Sequence, residues 1–104
     1  MEQIAFLMRL KPGNEAEYKR RHDQIWPELK DALTKAGICD YSIFLDRQTG
    51  NLFAVLRLKP DNTRQVLPTL PVMRKWWDYM ADLMDVDPTN KPVERPLVPV
   101  FHLD

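Results

Sequence analysis

The chain has 104 residues, of which 44% are hydrophobic, a size that suits one compact domain with a single core and is too small for two. Fifteen lysines and arginines balance fifteen aspartates and glutamates, and the two signs alternate along the chain, so no broad cationic face is expected for nucleic acid or anionic lipid. The single cysteine, Cys39, excludes an intrachain disulfide and a multi-cysteine metal site. A lone cysteine suits a reducing compartment, so we expect a cytoplasmic protein. Its length predicts one domain over residues 1–104.

The first third of the chain predicts a strand followed by a helix. Ile4 to Leu10 is an apolar run that ends at Pro12-Gly13, as a buried strand before a turn would. Its opening stretch, IAFLM, is too short for a signal-peptide core or a membrane span. Asn14 with Glu17 three residues later has the spacing of a capping box, which predicts that a helix starts there. We expect this helix to end before Gly37, because glycine readily takes the left-handed conformation that follows many helices.

The middle of the chain predicts a β-hairpin. Tyr41 to Asp46 and Leu52 to Leu58 are two runs rich in β-forming residues. They are joined by RQTGN, in which Gly50 and Asn51 tolerate the positive φ of a hairpin loop. The two runs should therefore pair as antiparallel strands.

The last third predicts a second, interrupted helical region and a final strand. Asp61 to Leu67 favours a short helix, and Val72 to Met84 has a stronger helical pattern. After a proline-rich loop, the apolar run Val98 to Leu103 predicts a strand at the edge of a sheet, because Pro99 cannot donate to a ladder.

The predicted order of elements is βαββαβ, an α+β pattern. Its compact solution is a four-stranded antiparallel sheet with both helices on one face, the ferredoxin-like arrangement. Because successive strand residues alternate between faces, apolar residues such as Phe6, Phe53 and Val55 cannot all point under the helices. One apolar face would stay open, and a homodimer could cover it.

His22 lies on the predicted inward face of the first helix. The apolar stripe at spacings of three and four consists of Tyr18, His22, Ile25, Leu29, Leu33 and Ala36. Pro27 should kink or break this helix within a turn of His22, and a break could open a cavity beside it. A lone histidine on such a stripe is more often a hydrogen-bonded core residue, but a second polar tip on the stripe, that of Tyr18, makes a bound polar ligand a real alternative.

The second helix carries a stripe of large side chains at helical spacing: Met73, Trp76, Trp77, Met80 and Met84. Both indoles could simply be core. Two adjacent indoles are nevertheless large for a thin domain, and an indole suits the apolar face of a sugar while its N–H donates to a hydroxyl.

Other charged groups predict a solvated surface. The basic run Lys19, Arg20 and Arg21 splays around a helix instead of sharing one face, so it does not form a phosphate site. Three aspartates without a nearby histidine or cysteine, at Asp82, Asp85 and Asp87, predict a solvated helix end and no metal site. His102 in the final run should be an outward or edge residue.

Five segments together resemble the L-rhamnose mutarotase family in order, spacing and total length: YKRRHDQIWPEL, YSIFLD, LFAV, WWDYMADLM and VFHLD. The resemblance covers nearly the whole chain. It implies ferredoxin-like subunits that form a dimeric α/β barrel, and a mutarotase that interconverts the α and β anomers of L-rhamnose without a cofactor.

The resemblance also implies roles for individual residues. His22 matches the family's proton donor, and Tyr18, Tyr41, Trp76 and Trp77 match its sugar-binding positions. A histidine suits the reaction because its ordinary pKa is near neutral, so it can give and recover a proton in one cycle. Two other functions stay open, since one fold hosts several chemistries: a cofactor-free oxygenase of the dimeric barrel type, and a non-catalytic sugar-binding module.

Overall fold

A computed structural model describes residues 1–104 as an α+β chain with one antiparallel sheet. The elements in chain order are β1 (Glu2–Arg9), α1 (Glu15–Asp23), α2 (Pro27–Lys35), β2 (Ile38–Leu45), β3 (Asn51–Leu58), a 3-10 helix (Arg64–Thr69), α3 (Pro71–Met80) and β4 (Arg95–Pro96). The strands lie in the order β2-β3-β1-β4, and every neighbouring pair is antiparallel. None of the helices has the length and hydrophobicity that crossing a bilayer requires.

The two faces of the sheet differ in burial. Phe6 and Met8 of β1 and the even-numbered residues of β3 are buried in the core together with Leu29 of α2 and Met80 of α3. Their odd-numbered neighbours are partly exposed, and Phe53 is 39% exposed. The predicted alternation is confirmed: the helices cover one face, and an apolar second face is left open.

A β-bulge in β2 sets the position of Tyr41. Cys39 pairs with Arg57 and Ser42 with Val55, so two residues, Asp40 and Tyr41, stand opposite the single residue Leu56. Asp40 takes the extra place with a φ of 50°. Because of the bulge, inward and outward residues do not alternate regularly in the first half of this strand. The sequence therefore predicted a start at Tyr41, whereas the strand begins at Ile38.

The predicted break of the first helix is confirmed. α1 ends at Asp23, and Pro27 is the first residue of α2, where its missing N–H costs no helical hydrogen bond. The predicted capping box is wrong, because the side chain of Asn14 donates to the carbonyls of Lys11 and Pro12 and caps no helical N–H. Glu17 instead accepts charge-assisted bonds from neighbouring arginines, which are stronger than a bond to a neutral backbone N–H.

The predicted final strand lies in the wrong place. β4 is only Arg95–Pro96, followed by a hydrogen bond from the N–H of Leu97 to the carbonyl of Ala5. Residues 98–104 have no regular structure, and Val100 is 94% exposed. Pro96 and Pro99 supply no N–H to β1, so the apolar run between and after them cannot extend the ladder.

The second helical region is interrupted as predicted, with shifted ends. The short helix is a 3-10 helix at Arg64–Thr69, and α3 ends at Met80 instead of Met84. Met84 forms a bridge with Leu10, so pairing with the end of β1 takes the chain out of the helix.

Replacing Gly37 with alanine should destabilise the fold. Gly37 has a φ of 86°, and a Cβ there would lie 2.9 Å from the Cα of Asn62, whereas Gly13, with a φ of 84°, has nothing within 4 Å. We expect thermal unfolding to show a loss of about 3 kcal/mol for Gly37→Ala, from left-handed strain plus overpacking, and of about 1 kcal/mol for the control Gly13→Ala. Equal losses would mean that the contact with Asn62 relaxes without cost.

Candidate active site

A cavity of about 1140 Å³ lies between the helices and the covered face of the sheet. All five residues that the sequence singled out line it: Tyr18 and His22 of α1, Tyr41 of β2, and Trp76 and Trp77 of α3. The volume lies slightly above the usual range for small-molecule sites, about 300–1,000 Å³. The fold therefore brings the predicted catalytic and binding residues together around one space.

His22 is held in a defined tautomer. Its Nδ1 lies 3.0 Å from the backbone carbonyl of Tyr18, and because a carbonyl only accepts, Nδ1 must donate the hydrogen. Nε2 then has a free lone pair whenever the ring is neutral, and it has no hydrogen-bond partner within the chain. The ring packs 4.4 Å from that of Tyr18 and edge-on to Trp76 at 5.5 Å.

The neutral imidazole is the favoured form at neutral pH. Burial lowers the pKa of His22 below its ordinary value, and this outweighs the opposing effects of the Tyr18 carbonyl and the charge of Asp23. A neutral ring with a free Nε2 can accept a proton from a ligand and return it.

Both tyrosines keep their hydroxyl hydrogens. Burial, followed by the proximity of Tyr41, raises the pKa of Tyr18 far above its ordinary value. Tyr41 is 39% exposed as a whole, but burial around its titrating hydroxyl, followed by the charge of Glu94, raises its pKa to about 12. Neither hydroxyl has a partner within 3.5 Å in the chain, so both can bind hydroxyls of a ligand.

The two tryptophans occupy different places in the wall. Trp76 is only 6% exposed and packs edge-on against Trp26 at 5.1 Å as well as against His22. Trp77 is partly buried, and the guanidinium of Arg74 lies 5.7 Å from its ring centre. Trp76 is thus both core and cavity wall.

Trp26, which the sequence analysis missed, is marked in the sequence only by its place before Pro27.

Arg21 corrects the prediction of a solvated basic run. Lys19 and Arg20 are exposed, but the side chain of Arg21 is only 11% exposed. Its guanidinium donates to Glu17 at 2.7 Å, to the carbonyl of Tyr79 at 2.6 Å and to Asp82 at 2.9 Å.

These bonds join α1 to the end of α3. The Arg21 guanidinium also lies 4.4 Å from the centre of the Tyr79 ring. Arg21 thereby fixes α1, and with it His22, against Trp76. Asp82 is for the same reason an ion-pair partner and not merely the solvated helix end that was predicted.

The remaining candidates lie outside the cavity. Asp85 pairs loosely with Arg9 at 4.0 Å, and Asp87 accepts bonds from Thr89 and Lys91 in a turn. His102 is on the exposed tail and pairs with Asp104.

Comparison with known proteins identifies the family. The family model described as L-rhamnose mutarotase matches residues 3–103. An L-rhamnose mutarotase of Burkholderia orbicola is 60% identical over 104 residues, covering 100% of both chains, and one of Rhizobium johnstonii is 57% identical over 103 residues, covering 99% of this chain and 97% of its own. The crystal structure of an L-rhamnose mutarotase from Formosa agariphila superposes with a TM-score of 0.93 at 45% identity, covering 100% of both chains. The chain belongs to the L-rhamnose mutarotase family.

Proposed function

We propose that the protein interconverts the α and β anomers of L-rhamnose in the cytoplasm. The observation that carries the proposal is the placement of His22. Its Nδ1 is fixed to a backbone carbonyl and its Nε2 is unpartnered, in a cavity walled by tyrosine hydroxyls and indoles. Family membership supplies the substrate, and the cavity supplies a group suited to the proton transfers.

In the proposed mechanism, His22 is the proton donor to the ring oxygen. Neutral Nε2 first takes the hydrogen of the anomeric hydroxyl. The C1–O5 bond then breaks to give the open-chain aldehyde, and the imidazolium gives the proton to O5. Rotation about the C1–C2 bond and the reverse steps close the ring on the other face of the carbonyl.

One imidazole can serve both transfers because O1 and O5 are bonded to the same carbon. The substrate is neither oxidised nor reduced and no group leaves, so the chemistry consists of cleavage and re-formation of the C1–O5 bond with the two proton transfers that accompany them. Tyr18 and Tyr41 would donate hydrogen bonds to sugar hydroxyls, while Trp76 and Trp77 would pack against the apolar face of the ring.

The activity is tested by saturation-transfer NMR on L-rhamnose, which follows exchange between the two anomeric signals directly. We expect the protein to accelerate this exchange in proportion to its concentration. Saturable binding without acceleration would instead indicate a sugar-binding module, and oxygen consumption with an aromatic substrate would indicate an oxygenase.

We further propose that two ferredoxin-like subunits pair through their open sheet faces into a dimeric α/β barrel. The strand order β2-β3-β1-β4 supports this, and so does the open face, where Phe44 is 64% exposed. A soluble monomer seldom exposes an apolar patch of this extent.

The dimer predicts a specific response to one substitution. Sedimentation should give twice the mass of one chain for the wild type and one chain mass for Phe53→Glu, which places a charge on the open face. Val66 has a similar exposure, 42% against 39% for Phe53, but lies on the 3-10 helix. Val66→Glu should therefore stay dimeric. An active wild-type monomer at low micromolar concentration would contradict the barrel.

A further inference from the structure

Arg64 and Glu94 form a charged pair that lines the cavity and has no part in the proposed mechanism. Arg64 is the first residue of the 3-10 helix, and Glu94 comes directly before β4. Arg64 Nη2 lies 3.7 Å from Glu94 Oε1, and the two side chains are only 34% and 31% exposed. Both line the same cavity as His22. The Arg64 guanidinium also lies 5.5 Å from the ring centre of Phe6, a buried residue on the covered face of the sheet.

This pair is left open, whereas another charged pair that lines the cavity, Arg47 with Glu15, is closed. The more exposed pair of Arg47 and Glu15 closes through two hydrogen bonds of 2.8 Å. The distance of 3.7 Å between Arg64 and Glu94 is too long for a hydrogen bond, and neither side chain makes another within the chain. Two partly buried charges that line the cavity thus keep free donors and acceptors, which a polar ligand can use.

The pair is also continuous with the sugar-binding tyrosines. The charge of Glu94 raises the pKa of the Tyr41 hydroxyl, and the charge of Arg64 lowers it. The proximity of Tyr41 in turn raises the pKa of Tyr18. Tyr18 is in ring contact with His22. Polar groups therefore extend from His22 across the cavity to Glu94.

We propose that Glu94 and Arg64 are specificity-determining residues that bind two neighbouring hydroxyls of the sugar. Glu94 accepts the hydrogen of one hydroxyl, and Arg64 donates to the oxygen of the next. A carboxylate only accepts and a guanidinium only donates, so the pair offers one charged acceptor and one charged donor at separate positions, which two adjacent hydroxyls can satisfy together only in one relative orientation. It thereby holds the opposite side of the ring, with C1 and the ring oxygen, towards His22. The inference rests on the proposed mutarotase function.

The variants Glu94→Gln and Arg64→Met remove one charge each and keep most of the side-chain volume. For each we expect the KM for L-rhamnose to rise about 10- to 100-fold, the usual effect of losing a hydrogen bond to a charged group, with kcat changed little. The matched control is Asp31→Asn, which opens the pair of Asp31 with Lys35 on α2, outside this cavity. Its KM should equal that of the wild type.

Epimers of the substrate give a readout that a merely structural pair would not move. The C2 epimer, 6-deoxy-L-glucose, and the C4 epimer, 6-deoxy-L-talose, each reverse one ring hydroxyl. We expect the wild type to discriminate against at least one of them, and Glu94→Gln to lose most of that discrimination. Wild-type KM and epimer ratios in both folded variants would overturn the proposal. A fall in kcat at unchanged KM would also overturn it, in favour of proton transfer by Glu94.

Failure of the proposed activity can be separated from failure of this inference. If the wild type does not accelerate anomer exchange, titration calorimetry with L-rhamnose still tests the pair. Weaker binding by Glu94→Gln than by Asp31→Asn would then support the inference alone. Absence of any L-rhamnose binding by the wild type would overturn both.

Discussion

Replacing His22 with alanine is expected to lower the enzymatic rate of anomer exchange about 10²- to 10⁴-fold, the usual loss when a general acid–base group is removed. The reason is that His22 is the only histidine that lines the cavity, and histidine is the side chain whose ordinary pKa lies near neutrality. The fold should survive, because His22 is only partly buried and its one hydrogen bond is to its own helix. Saturation-transfer NMR measures the rate, and circular dichroism checks the fold.

His102→Ala is the matched control for this substitution. It removes the only other histidine of the chain, which lies on the exposed tail, and it should leave the rate unchanged. Near-wild-type exchange in folded His22→Ala would show that His22 is an ordinary core residue.

The pH dependence follows from the same residue. In the proposed mechanism the neutral imidazole accepts the first proton, and burial lowers the pKa of His22 below its ordinary value of 6.5. In the wild type, kcat/KM should therefore be constant around pH 7 to 8 and fall as the pH is lowered through this reduced pKa. A kcat/KM that rises on acidification would mean that the imidazolium is the form that starts the reaction.

Substitutions at the tryptophan pair should separate packing from sugar recognition. Trp76→Ala should cost about 3–5 kcal/mol of unfolding free energy, because Trp76 is buried between His22 and Trp26. Trp76→Phe and Trp77→Phe keep much of the packing but lose the indole N–H donor. Both should weaken L-rhamnose binding, measured by calorimetry, while most of the stability remains.

Trp26→Phe is the control for this pair. Trp26 belongs to the same aromatic cluster as Trp76 but does not line the cavity, so this change should leave sugar affinity unaltered. Unchanged affinity in both Trp76→Phe and Trp77→Phe would show that the pair is core. Recognition would then rest on Tyr18, Tyr41 and other groups of the cavity.

Elements specified by local signals could be predicted from the sequence. The break before Pro27 and the end of the first helical region before Gly37 follow from single residues whose backbone preferences are strong. The last strand could not be placed in this way. Its position depends on the hydrogen bond between Leu97 and Ala5 and on where prolines interrupt the ladder. Neither feature can be predicted from the apolar composition of residues 98–103.

The candidate site divides in the same manner. Tyr18 and His22 could be assigned to one face because helical spacing places them there. Arg21 appeared to be a surface residue because its partner Asp82 is 61 positions away along the chain. Arg64 and Glu94 carry no motif, and only the folded chain places them in the cavity with His22.

The bulge in β2 has a consequence for how the length of this strand can vary among related chains. Asp40 is the extra residue: on either side of it, the residues alternate as they would in an unbroken strand, with Ile38 and Tyr41 inward and Cys39 and Ser42 outward. A chain that lacked Asp40 would keep every one of these assignments. Asp40 is therefore a position where evolution or protein engineering can shorten the strand while the same residues continue to line the cavity.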